Sequence, residues 1–541
     1  MQLVKIAVYP AEHFSRYRRL WEGLSDLYSV QFEPREEGNW DGCDAGLLFG
    51  VDRSKATAIA KSGLRCMAFI SGEPLATVSQ KREVSFGSTP FLAECLRGRT
   101  WANQSIEGVH PLKAEDSDEV VARTDCDVLW IHKIVGNRAV DLVALEPPAV
   151  TEDQYLYEFF QRDNCMRLLP LLHLLRELSP WTRPVLRACF MFDDPNLHWK
   201  TYGYIDFGEL AEHARVHNYH ASFATVPFDG WYVNPATAAI FRNNRDRLSL
   251  LVHGNNHTFA ELAREYPNGD RRASMAQAQR RIDELEKRSG LEIPRIMAAP
   301  HGGCSAEMAN TLLEVGFEAA SISRWSLMHF NRERWYSTIG LNIAEFLGGA
   351  FPIIPRFKLA WEREIDIYLA ALLQKPIILV GHHEDLRGGL DILSGLAQRI
   401  NSVGQVQWVD MKAMARSNFC TRSEGTTLYI KTYSRRVQIQ APENTTTLVI
   451  ERPWLKDGQI EALQYRTGNG KFVSINSSAN QAIPVIGGTQ IEVASVYPSA
   501  IDPATVAAPG ASIWAAARRG FCEIRDRAKP LGSLIGSGHK A

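Results

Sequence analysis

The sequence predicts an α/β protein of several domains, and three observations carry that expectation. Short apolar runs of strand length alternate with segments of helical spacing from the amino terminus to about residue 418. Beyond that point helical spacing gives way to period-two stretches. The chain, at 541 residues, is also too long for one ordinary core, and a rule of about 150 residues per domain gives three or four.

Composition narrows the function classes. With 45% hydrophobic residues, 22% charged residues and a formal net charge of -1, the chain reads as globular. No global basic surface recommends nucleic acid or an anionic membrane as a partner. The first ten residues lack a basic n-region and a long apolar run, and no later stretch reaches about 18 uninterrupted apolar residues. A cytoplasmic location is therefore expected, without a membrane span; a homo-oligomer is compatible with the sequence. The nine cysteines are scattered, with no Cys-x-x-Cys pair, which supports neither a disulfide framework nor a zinc knuckle.

Residues 1–150 place strand candidates at 3–9, 45–49, 66–70 and 127–133, with helices at 14–28 and 54–62 between them. Such alternation predicts a small parallel α/β domain of flavodoxin-like or amidotransferase-like architecture. It contains no Gly-x-Gly-x-x-Gly and no Walker loop, and Cys66, at the start of a strand, reads as a buried structural thiol. Residues 151–183 then carry leucines and aromatics at helical spacing around Pro170, which predicts a helical connector. Pro180 and Pro184 close it.

The chemistry gathers in the next segment. The apolar run 185–192 stops at Asp193 and Asp194, and the run 247–252 stops at His253, with His257 four residues on. In barrels and open α/β sheets, reactive groups collect at the carboxyl ends of strands. Asp194, His253 and His257 can supply one carboxylate and two imidazoles to a divalent ion, leaving positions open for water and a substrate carbonyl. Asp193, adjacent but outside that set, is then free to take a proton from the water. The competing reading makes the Asp pair a turn or helix cap and the histidines ordinary loop residues.

These two motifs, in this order, resemble the polysaccharide deacetylases with the NodB homology domain, carbohydrate esterases built on a distorted (β/α) barrel. The resemblance covers residues 184–418. It implies that Asp193 is the general base and that Asp194, His253 and His257 hold the metal, with zinc the expected ion and other first-row divalent ions as alternatives. A third family motif, Arg-x-Pro-aromatic-Gly, is matched by Ala298, Ala299, Pro300, His301 and Gly302, so its arginine is missing. In the family that arginine pairs with the base, and Arg324 at the end of the next strand candidate is the expected substitute. A last motif, an apolar strand ending in the histidine that acts as general acid, is matched by 377–385, where His382 and His383 both qualify.

Elsewhere in this segment the loop 227–232 carries Trp231 and Tyr232, aromatics suited to stacking on a sugar ring, although they could equally cover the core. Pro300, His301 and Gly302 lead into a helix that Ser305 can cap, and their glycines would let backbone N–H groups approach an oxyanion. The charged helix 271–288 reads as a solvated outer face. Residues 419–500 predict an antiparallel β-sandwich from the strand patterns at 426–432, 436–440, 446–451 and 490–496. The tail 501–541 is expected to be partly disordered, with one short helix over 512–527. The expected activity is a metal-dependent hydrolase that removes an N-acetyl or other N-acyl group from an amino sugar, glycan or polysaccharide precursor. The alternatives are an amidohydrolase on a small non-sugar amide, which a narrow pocket would favour, and a catalytically silent glycan-binding scaffold, which the missing arginine would favour.

Overall fold

The computed structural model describes residues 3–70, 81–331, 335–456, 458–478, 480–510 and 513–537. The chain divides into two compact units. One comprises Met1–Thr182 with Trp335–Asn342 and Tyr368–Leu373, and the other Arg183–Arg334, Ile343–Ile367 and Gln374–Ala541.

The amino-terminal unit is built on a nine-stranded sheet. Its first half is parallel, as expected: Val30–Pro34, Val4–Tyr9, Ala45–Val51, Arg65–Ile70 and Arg138–Val143 lie side by side. Its second half is not. Val128–Val135 runs antiparallel to Arg138–Val143, and Glu119–Arg123, Lys81–Phe86 and Thr100–Ser105 follow in that order, each antiparallel to its neighbour. The two-residue turn at Gly136 makes the hairpin, since Gly136 adopts a φ of 65° that few other residues tolerate. The leucine-rich segment beyond residue 150 forms Leu156–Gln161 and Leu169–Leu178, and its apolar face is buried within this unit. Cys66 is buried on its strand, and burial pushes its thiol up to about 12, as a structural cysteine requires.

The second unit holds a closed barrel of seven parallel strands. In sheet order they are Leu186–Asp193, Ala221–Thr225, Leu248–His253, Ile296–Ala298, Ala319–Ser323, Phe351–Lys358 and Ile377–Gly381, and the last pairs with the first. The barrel interior is filled by Cys189, Met191, Ala224, Leu251, Ile296, Ala298, Ala319, Ile354 and Ile378, with Met411 and Met414 of the helix Met411–Arg416 joining the same cluster. Because side chains alternate across a strand, each interior residue fixes which later residue on its strand points into the mouth. Helices such as Phe207–Val216, capped by Asp206, and Asn268–Ser289 surround the barrel. The latter is less solvated than its charge suggests, because Met275, Ala278, Ile282 and Leu285 are buried and Arg281 reaches inward.

The carboxyl-terminal part of this unit is a sandwich of two four-stranded sheets over an aliphatic core that includes Leu428, Ile430, Ile439, Ile450, Leu463 and Ile491. The four strands expected from alternation form at Thr427–Thr432, Arg436–Gln440, Thr447–Glu451 and Gln490–Val496. Thr427–Thr432 and Thr447–Glu451 pair parallel, while the other pairings are antiparallel. The tail differs most from expectation. A single helix, Ile513–Ser537, lies across the barrel mouth, while residues 538–541 fall outside the described residues. Arg519 and Asp526 are buried toward the barrel, while Trp514, Phe521 and Ile524 are exposed. Among the described residues no helix is long and apolar enough to cross a membrane.

Candidate active site

Strand periodicity delivers the reactive groups. Asp193 lies two residues beyond interior Met191, His253 two beyond Leu251, and His382 two beyond Val380, which packs on the same core. All three therefore reach the carboxyl-terminal mouth of the barrel, where they line a cavity of about 770 Å³.

Asp194, His253 and His257 come together there. Nε2 of His257 and of His253 lie 3.1 and 3.7 Å from Oδ1 of Asp194. That oxygen is buried and takes no hydrogen bond; the Arg519 guanidinium lies 3.7 Å away, outside hydrogen-bonding distance, so the oxygen's lone pairs stay free to ligate a cation. Nδ1 of His253 lies 2.9 Å from the carbonyl oxygen of Ala298, which can only accept, so the ring proton resides on Nδ1 and Nε2 presents its lone pair to the Asp194 side. Burial lowers the pKa of His257 in spite of the opposing pull of Asp194, which keeps its ring neutral and able to ligate. The donor set fits a first-row divalent ion, zinc included.

The loop between the two histidines is held from beneath. The backbone N–H groups of Asn255, Asn256 and His257 all donate to the buried carboxylate of Glu261, at 3.0, 2.8 and 3.0 Å. Gly254 is required in this turn, since its φ is 64° and a Cβ there would meet Oε2 of Glu261 and Cγ of Pro300 at 2.5 Å. Arg281 donates to the side chains of Asn255 and Asn256 at 2.6 and 2.8 Å.

An arginine from elsewhere in the barrel reaches Asp193. Arg356, on Phe351–Lys358, donates to both oxygens of Asp193 at 3.0 Å each. Both partners are buried. Burial alone would raise the Asp193 pKa; the Arg356 guanidinium, with His253 and His382 beside it, overcomes that and holds the carboxyl at about 2. Arg356 lies two residues beyond interior Ile354, so it shares the phase of Asp193. Arg324 does not take this role. It opens the helix Arg324–Phe330, on the opposite phase from its neighbour Ser323, and its guanidinium contacts Sδ of Met328. The register pairs Ser323 with Arg356, so the sequence-based expectation fell one strand short.

His382 and His383 separate by the same alternation. His382 is exposed in the cavity and acts electrostatically on both Asp193 and Asp194. His383, in the opposite phase, also borders the cavity but is buried against Tyr202 and Tyr204, with Asp526 3.7 Å from its Nε2, and Gly203 lets its ring pack so closely that a Cβ would meet Nδ1 at 2.2 Å.

His301 and Gly302 line the cavity, and Pro300 is buried. The N–H groups of Gly302 and Gly303 donate to the carbonyls of Ala299 and Pro300, so the expected oxyanion contact from these glycines is not made. Ser305 caps its helix as expected, accepting from the N–H of Met308 at 3.2 Å. Trp231 and Tyr232 lie outside the cavity. Trp231 is 66% exposed, so it neither covers the core nor faces the site. Sequence reading also missed Lys358, Arg518, Arg525 and Asp526, the last three from the carboxyl-terminal helix, all of which line the cavity.

No family model matches this chain, and no curated protein matches it. Among solved structures, the chain is similar to carbohydrate deacetylases and esterases. A structure described as Agd3, a novel carbohydrate deacetylase, is 10% identical with a TM-score of 0.49, covering 92% of this chain and 99% of that one. A CE4 esterase of Streptococcus mutans is 12% identical with a TM-score of 0.25, covering 42% of this chain and 86% of that one. A family 4 acetyl xylan esterase of Clostridium thermocellum in complex with a cobalt ion is 16% identical with a TM-score of 0.24, covering 42% of this chain and 89% of that one.

Proposed function

We propose that this chain is a metal-dependent deacetylase that hydrolyses the N-acetyl amide of an amino sugar within a glycan or polysaccharide precursor. The observation that carries this reading is the grouping, in one cavity, of three metal-ligating side chains with an arginine-paired carboxylate and an exposed histidine. Asp194, His253 and His257 would hold a divalent ion, which when bound would supply Lewis-acid polarisation of the acyl carbonyl and acidify a water. Asp193, held ionised by Arg356, accepts a proton from the attacking water as its oxygen bonds to the carbonyl carbon. His382 donates a proton to the departing nitrogen as the C–N bond breaks, releasing acetate and a free amine. One base and one acid thus act from separate strand ends, each in the phase that faces the cavity.

Two observations weigh against the alternatives. A volume of about 770 Å³ accommodates a sugar ring and does not call for a smaller amide. The supposed loss of the base's arginine, the feature that favoured a silent scaffold, is made good by Arg356.

The test is acetate release from N-acetylglucosamine oligomers by the purified full chain, before and after chelation and after restoring zinc or cobalt. Turnover that chelation abolishes and metal restores supports the proposal. A protein with stoichiometric metal that releases acetate from no N-acetylated glycan overturns it.

A further inference from the structure

Two of the three metal-ligating residues sit in backbone conformations that L side chains rarely adopt. Asp194 has φ 86° and His257 has φ 54°. Such residues persist only where their surroundings over-determine them. Part of that constraint is local: the N–H of Asp194 donates to Ala224 at 3.1 Å, and that of His257 to Glu261. The other half of each residue, its carbonyl, is held from more than two hundred residues away.

Arg519, in the carboxyl-terminal helix, donates Nη2 to the carbonyl oxygen of Asp194 at 3.1 Å and places Nη1 3.7 Å from the same residue's Oδ1. Its neighbour Arg518 donates to the carbonyl oxygen of His257. Consecutive arginines on one helix therefore fix the carbonyls of the two ligands at positive φ. Arg519 is itself anchored by Asp229, whose oxygens lie 3.0 and 2.8 Å from Nε, and Asp229 is buried. The helix also grips the loop after Asp194. Glu523 accepts from Asn196 Nδ2 at 2.6 Å, and Arg527 donates to Asn196 Oδ1 at 3.1 Å and to the carbonyl of Thr201 at 2.8 Å. Without those contacts nothing on the barrel side holds the Asp194 carbonyl toward the mouth, among the described residues.

We propose that Arg518 and Arg519 are positioning residues for the metal ligands, so that the metal site is complete only while the carboxyl-terminal helix is docked on the barrel mouth. This rests on the metal-dependent reading above. A guanidinium fork suits the task because it spans Asp229 and the Asp194 carbonyl at once, which a lysine ammonium cannot do. Groups that orient metal ligands from behind typically govern affinity by about 10- to 100-fold.

The experiment uses the full chain, stripped and titrated with zinc against a competing chromophoric chelator, with thermal melting in parallel. Arg518→Gln and Arg519→Gln are each expected to weaken zinc binding by about 10- to 100-fold. Arg519→Gln combined with Asp229→Asn leaves no buried unpaired carboxylate, so it is expected to recover the melting temperature while zinc affinity stays low. That double variant, with Arg518→Gln, carries the test if Arg519→Gln alone does not fold. Zinc affinity within twofold of wild type in these variants overturns the proposal, as does a double variant that regains both stability and affinity, which would reduce Arg519 to an anchor. A wild-type chain that binds no divalent ion overturns this inference together with the metal-dependent reading, whereas unchanged affinity in the variants overturns the inference alone.

Discussion

Arg356 holds both carboxylate oxygens of Asp193 at 3.0 Å, across 163 residues of chain, in a pair that is almost wholly buried. The pair keeps a buried carboxylate ionised. Asp193 can accept a proton only in that form, so the base role proposed for it is present above its pKa and lost below it.

Arg356→Met removes the group that opposes burial, so the Asp193 pKa rises and the acid limb of kcat/KM moves to higher pH. Turnover near neutrality is expected to fall by about 100-fold. The uncompensated carboxylate should also cost about 3–5 kcal/mol of stability, most of it regained in Arg356→Met with Asp193→Asn. Rate profiles and urea unfolding check both parts. An acid limb that stays in place in Arg356→Met would show that Asp193 is not the base.

His253→Ala and His257→Ala should each lose stoichiometric metal while keeping the fold, because both rings project from strand end and loop into the mouth and not into the barrel core. Metal analysis after dialysis, with circular dichroism alongside, decides it. Full metal retention in both variants would dissolve the assigned ligand set.

The two adjacent histidines should separate cleanly. His382→Ala is expected to lower kcat by about 100-fold or more with little change in unfolding, since its ring is exposed in the cavity. His383→Ala is expected to cost about 1–3 kcal/mol of stability, because it empties the buried space between Tyr202, Tyr204 and Gly203, and to leave most turnover intact. The opposite pattern would exchange their roles.

Trp231→Ala should leave KM for a glycan within about twofold of wild type, because the ring lies outside the cavity and is two-thirds exposed. A rise in KM of tenfold or more would place the sugar chain over the Pro227–Trp231 turn after all.

Much of this was legible in the sequence, and where it failed the reason is specific. The strand ends at Asp193 and His253 were visible because an apolar run stops abruptly at each. Period two, carried one step further, selects Arg356 from Ile354 and His382 from Val380, and it puts Arg324 and His383 on the opposite phase. That signal was present but needed to know which residue of each strand faces inward. The loop 227–232 misled because aromatic content says nothing of the direction in which a turn points. The tail misled for a different reason: its helix buries charge and exposes Trp514, Phe521 and Ile524, the reverse of the pattern by which a docked helix is recognised.

The sequence by itself determined the α/β class, several strands of the barrel and four of the sandwich, and the strand ends that carry Asp193, Asp194 and His253, with His257 just beyond. These depend on residues within a few positions of one another, where alternation and chain stiffness act directly. Only the tertiary structure decided that Arg356 answers Asp193, that His382 faces the cavity, and that Arg518 and Arg519 reach back to the carbonyls of His257 and Asp194. Those contacts join residues from 163 to 325 positions apart, and barrel closure and helix docking, which no local spacing encodes, bring them within hydrogen-bonding reach.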